Sequence, residues 1–142
     1  MPEHINRESE GANMNVLLAT DGKEHSLKAV NYAFEYASLH KATLAVVFVV
    51  SPKAEEDKEK LIKNGMGVLE NMKKMGVEKG VPVITLLEAG SPYESILNAA
   101  DRLNAEVIVV GTSGKTAIDR VLIGSVSEFV VRNAKTTVIV VR

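Results

Sequence analysis

The stretch Glu106-Val-Ile-Val-Val110-Gly111-Thr112-Ser-Gly114-Lys115-Thr-Ala-Ile-Asp-Arg-Val-Leu-Ile-Gly124-Ser125-Val126-Ser127-Glu128 passes from an apolar run, through polar residues punctuated by glycine, into a helix start. The run over 106–110 does not alternate between polar and apolar residues, which is the pattern of a strand covered on both faces. Ser125 and Glu128 have the spacing of a capping box, and Val126, Phe129 and Val130 place an apolar stripe on the helix that follows. A doubly covered strand feeding a helix belongs to a parallel sheet, whose strands are joined by crossover helices.

Outward from this segment the alternation continues in both directions. Residues 15–20, 43–50, 83–87 and 136–141 form four further β-type runs, most of them continuously apolar. Between them, Leu27, Val30, Phe34 and Ala37 are spaced three, four and three apart, which predicts a helix from about residue 24 to 39. Leu61, Val68, Met72 and Met75 mark a second helix. Gly65 and Gly67 each cost that helix about 1 kcal/mol relative to alanine and predict a kink or break. Ser91-Pro-Tyr-Glu94 is a capping box with proline at the first helical position, followed by Ile96, Ala100 and Leu103 on one face.

The order β-α-β-α-β-α-β-α-β predicts an open, doubly wound, five-stranded parallel sheet with helices on both faces. Ligands of such sheets bind beyond the carboxyl ends of the strands, where the strand order reverses. The loops after the first and fourth strands are therefore where chemistry is sought. Residues 1–13 are polar and read as a flexible tail ahead of a domain spanning 14–142, and either Met1 or Met14 fits as the start.

Composition narrows the partners. With 17 Lys plus Arg against 18 Asp plus Glu, the net charge of −1 provides no global field for nucleic acid or an anionic membrane. The longest apolar run, 44–50, is far short of the roughly 20 residues of a membrane span. The N-terminal stretch lacks an apolar signal core, and with no cysteine in the chain a cytoplasmic location is expected. His4, His25 and His40 form no pair at metal-ligand spacing, so no metal site of the protein's own is expected.

In the quoted segment, Gly111 and Gly114 let backbone N–H groups approach a ligand without an intervening Cβ. Gly124 and Ser125 stand at a helix entrance, where free N–H groups and the helix dipole favour phosphate. Each glycine by itself reads first as a tight turn, and Ser125 as an ordinary cap; their joint spacing at the expected switch point favours the phosphate reading. Ser113-Gly114-Lys115-Thr116 imitates the end of a P-loop, but Val109 occupies the position of that motif's first glycine and the helix signal arrives ten residues too late. Lys115 and Arg120 read either as point charges near phosphates or as solvated surface residues. Asp21, after the first strand, either accepts hydrogen bonds from a ribose or adenine group, or merely caps the first helix or makes a local turn with Gly22.

Read as Gly, two residues, Gly, nine residues, Gly, Ser, the positions Gly111, Gly114, Gly124 and Ser125 resemble the ATP-binding signature of the universal stress protein family. Asp21, the Gly90-Ser91-Pro92 entry to the third helix and the ending at Thr137 to Val141 extend the resemblance over most of the chain. Ala19 departs from it, standing where a proline is often found. The resemblance implies a strand order of 3-2-1-4-5. It implies adenine near Asp21 and the backbone of Val49, and ribose and phosphates along Val110, Gly111, Thr112, Gly114 and the turn Gly124, Ser125, Val126 and Ser127; Ala19, Thr20 and Lys115 complete the expected nucleotide-binding set. The implied ligand is ATP, with AMP or ADP as alternatives, and any Mg2+ or Mn2+ is carried by the phosphates. A homodimer through the last strand is also implied, and that strand contains no proline or internal charge to discourage pairing. The expected function is a nucleotide-gated regulatory module in stress response. No catalytic residues are assigned, because no second acidic residue near the signature is arranged to share a metal. A slow ATP hydrolase or nucleotidyl-transferring enzyme, and a dimeric scaffold with an unused pocket, are the alternatives.

Overall fold

The computed structural model describes residues 14–51, 57–112 and 124–142. Its elements run β1 (Asn15–Ala19), a single 3-10 turn (Glu24–Ser26), α1 (Leu27–His40), β2 (Thr43–Val50), α2 (Lys58–Lys79), β3 (Val83–Ala89), α3 (Pro92–Leu103), β4 (Val107–Gly111), α4 (Ser125–Asn133) and β5 (Thr137–Val141). All four strand pairings are parallel and the order is β3-β2-β1-β4-β5. This is the doubly wound arrangement expected, with the order reversing between β1 and β4.

Period-two side-chain geometry divides the core between the two faces of the sheet. Val16, Leu18, Leu44, Val46 and Val109 pack with Val30 and Phe34 of α1 and with Leu69 and Met72 of α2. Leu17, Ala45, Val47 and Ile108 pack on the other face with Ile96 of α3 and Val130 of α4. Strands β1, β2 and β4 are therefore largely buried, whereas β3 and β5, each paired on one side only among the described residues, are mostly half-buried. Leu27 departs from its predicted stripe: it is 51% exposed, and the inner face of α1 is carried by Ala29, Val30, Ala33, Phe34 and Ala37.

Two local expectations are corrected. Helix α2 runs unbroken through Gly65 and Gly67. A Cβ on Gly65 would stand 2.7 Å from a ring carbon of Phe48, so this glycine lets the helix lie close on β2, and the packing outweighs the loss of helix propensity. The two capping boxes do not form as spaced. Ser91 is the N-cap of α3 but its side chain makes no capping hydrogen bond. In α4 the N-cap is Gly124, so Ser125 is already helical and its hydroxyl lies 3.2 Å from the Tyr93 hydroxyl, while Glu128 accepts from Arg132 at 3.0 Å.

Candidate functional site

At the carboxyl ends of the central strands lies a cavity of about 730 Å³. Its apolar floor is Val47 and Val49 of β2, Val110 of β4 and Ile96 of α3, side chains of the α3/α4 face of the sheet continued to its end. Among the described residues the rest of its wall is the β1–α1 loop, the end of β4 and the entrances of α3 and α4.

The β1–α1 loop is held by a chain of hydroxyls. The Ser26 hydroxyl donates to the Lys23 carbonyl at 2.7 Å, so the Thr20 hydroxyl donates to Ser26 at 3.1 Å and itself accepts from the Gly22 amide at 3.1 Å. Both hydroxyl residues are buried, and the chain leaves neither polar atom unsatisfied. Gly22 takes φ +75, and a Cβ there would meet Val68 of α2 at 2.4 Å, so the loop turns tightly while resting on that helix. Asp21, the residue between Thr20 and Gly22, is exposed: its Oδ1 accepts from the Lys23 amide at 2.9 Å and its Oδ2 lies 2.9 Å from Nε2 of His25. The local-turn reading of Asp21 is thus realised as a turn over Gly22, closed by the Lys23 amide. One lone pair on each carboxylate oxygen remains for a further donor.

On the other wall, the buried Ser127 hydroxyl donates to the Gly111 carbonyl, tying the end of β4 to the first turn of α4. The Thr112 amide donates to Val141 at 3.2 Å. Because the first intrahelical bond of α4 runs from Glu128 back to Gly124, the N–H groups of Ser125, Val126 and Ser127 have no intrahelical acceptor. Helix α3 also begins at the cavity, with Pro92 at its first turn. Two helix N-termini at one cavity make its potential favourable to an anion.

Eleven of the sequence-derived positions line this one cavity: Ala19, Thr20, Asp21, Val49, Val110, Gly111, Thr112, Gly124, Ser125, Val126 and Ser127. Gly114 and Lys115 lie outside the described residues. The lining also includes residues that sequence reasoning missed, Lys23, His25, Ser26, Val47, Pro92 and Ile96. Val47 could have been found by stepping two residues back from Val49 on the same face of β2. Lys23 and His25, two and four residues beyond Asp21, carried no signal of their own. Asp21, Lys23 and His25 are the ionisable side chains among the described lining residues. Among the described residues no cluster of three or more His, Asp or Glu is placed to hold a metal ion, and no helix is long and apolar enough to cross a membrane.

A smaller cavity of about 480 Å³ at the opposite end of the sheet is lined by Asn98, Asp101, Asn104 and Asn133 among others. It faces the carboxyl ends of α3 and α4, the negative ends of their dipoles, and does not suit a phosphate.

Comparison with known proteins bears on both fold and site. The model of the universal stress protein family matches residues 12–142. Universal stress protein MJ0531 of Methanocaldococcus jannaschii is 35% identical, over 97% of this chain and 87% of that protein. Universal stress protein YxiE of Bacillus subtilis is 31% identical, over 89% and 97% of the two chains. A universal stress protein crystallised in complex with cAMP superposes with a TM-score of 0.74 at 26% identity, covering 92% of this chain and 98% of that one.

Proposed function

The chain belongs to the universal stress protein family, and from that premise we propose that it is a cytoplasmic, adenine-nucleotide-binding regulatory module. The carrying observation is the convergence of the β1–α1 loop and the α4 entrance on one apolar-floored cavity at the reversal of strand order. In this reading the nucleoside lies on Val47 and Val49, Asp21 accepts from its amino or hydroxyl groups, and phosphates take the N–H groups at Gly124–Ser127 with Gly114 and Lys115. The structure of the cAMP-bound relative supports the choice of an adenine nucleotide. ATP is the favoured ligand, with AMP and ADP as alternatives, and a divalent cation would travel with the phosphates. Purified protein, denatured and analysed by chromatography, is expected to release adenine nucleotide. Failure of both this release and calorimetric binding of ATP and AMP would leave the scaffold with an unused pocket.

The same reading includes a homodimer. Among the described residues strand β5 pairs only with β4, which leaves its outer backbone edge unpartnered among them, and its sequence Thr-Val-Ile-Val-Val carries no charge or proline to block augmentation. Val140→Lys places a charge on that strand, at a side chain half-buried against the α3/α4-face core, and is expected to shift the species toward monomer in sedimentation, with circular dichroism checking that the fold is retained. A wild-type monomer at micromolar concentration would refute the dimer.

A further inference from the structure

We infer that Tyr93 is a positioning residue for the phosphate end of this cavity: its hydroxyl fixes that of Ser125 and leaves the serine proton for a ligand phosphate. The inference rests on the nucleotide reading above and adds to it a residue that the sequence did not mark for the site. Tyr93 follows Pro92 in the first turn of α3, and Pro92 is part of the cavity lining. Ser125 is the first residue of α4 and lines the same cavity. The two hydroxyl oxygens stand 3.2 Å apart. The Tyr93 ring also meets Phe129 edge to face, with centroids 5.3 Å apart and planes at 71°. Ser125 and Phe129 are four residues apart and so share one face of α4, which a single tyrosine of α3 spans. Phe129 thus holds the ring, and the ring sets where the phenol oxygen meets Ser125.

Two hydroxyls bring two protons, and the contact between them uses one. A phenol donates more strongly than an aliphatic alcohol, so the tyrosine proton goes to Oγ of Ser125 and the serine proton is left over. Accepting that bond polarises the serine hydroxyl and strengthens it as a donor. Among the described residues neither hydroxyl makes another hydrogen bond. Tyr93 is half-buried whereas Ser125 is exposed, so a ligand in the cavity can reach the serine. Beside it are the N–H groups of Ser125, Val126 and Ser127, which have no intrahelical acceptor. A serine in the first turn of a helix can otherwise spend its hydroxyl on nearby backbone, and the phenol opposes that choice. The hydroxyl and the three N–H groups are then donors at one helix entrance, an arrangement for phosphate oxygens and not for the nucleoside on the apolar floor.

The test is a double-mutant cycle on the full chain. Tyr93→Phe removes the phenol oxygen and keeps the ring on Phe129, and Ser125→Ala removes the hydroxyl that the phenol holds. ATP and adenosine binding are measured by calorimetry for wild type, both single variants and the double variant, with thermal unfolding as the check on the fold. Tyr93→Phe is expected to weaken ATP binding about threefold to tenfold, the worth of about one hydrogen bond. In the Ser125→Ala background the same change is expected to cost nothing further, because the phenol acts through Ser125. Adenosine, which has no phosphate, is expected to bind Tyr93→Phe as it binds wild type. A tyrosine that merely packs α3 on α4 would instead give the same loss in both backgrounds and for both ligands. That result, or ATP affinity unchanged in Tyr93→Phe, overturns the inference and leaves the nucleotide site standing. Absence of binding of ATP, AMP and adenosine to the wild type overturns both.

Discussion

Replacing Gly124 by valine is expected to weaken ATP binding by roughly tenfold or more, since even one lost hydrogen bond to a charged group is worth about 1.5–3 kcal/mol. Gly124 is the N-cap of α4 and lines the cavity, directly ahead of the N–H groups of Ser125, Val126 and Ser127 that have no intrahelical acceptor. A β-branched side chain at that entrance stands between those donors and a phosphate, and valine is also a poor N-cap. Two effects must therefore be separated. Thermal unfolding of the ligand-free variant reads the cap, and calorimetric ATP affinity at a temperature where the variant is folded reads the site. Gly124→Ala, with a smaller side chain, is expected to lie between wild type and valine in affinity. A folded Gly124→Val protein that binds ATP as tightly as wild type would remove the α4 entrance from the phosphate site.

Asp21→Ala is expected to lower nucleotide affinity about tenfold to a hundredfold, as one or two hydrogen bonds to a carboxylate are lost. The geometry adds a second consequence, because Oδ1 of Asp21 also receives the Lys23 amide and Oδ2 faces His25. Alanine therefore loosens the β1–α1 loop as well as removing an acceptor. Asp21→Asn keeps a side-chain oxygen for the Lys23 amide, and its smaller loss of affinity measures the carboxylate charge apart from the turn. Any slow ATP hydrolysis at saturating nucleotide is expected to stay nearly constant in both variants, because a residue that holds ground and transition states equally affects binding and not turnover. The measurements are calorimetric affinity and single-turnover hydrolysis with magnesium. Turnover that collapses at unchanged affinity would make Asp21 part of a catalytic apparatus and overturn the binding-module reading.

What was legible in the sequence was local in origin. Continuous apolar runs, helical spacing of side chains and glycine after a strand are consequences of backbone period and covalent geometry, and these carried the βα alternation and the parallel sheet. The strand order came from family resemblance, because periodicity does not say which strand lies beside which; full burial of Val16, Leu17 and Leu18 accords with the central place of β1. The loops after strands one and four were marked because open α/β sheets place ligands there, and Val49 at the end of strand two came from the family resemblance. Tertiary structure decided what the sequence left open. A hydroxyl or carboxylate has several partners within reach, and its choice depends on residues remote in the chain. Ser125 therefore turned to Tyr93 of α3 rather than capping its own helix, and Ser127 to the end of β4. Gly65 likewise reads as a helix breaker until Phe48 of β2 is seen against it, because the benefit of close approach exists only once helix and sheet have met.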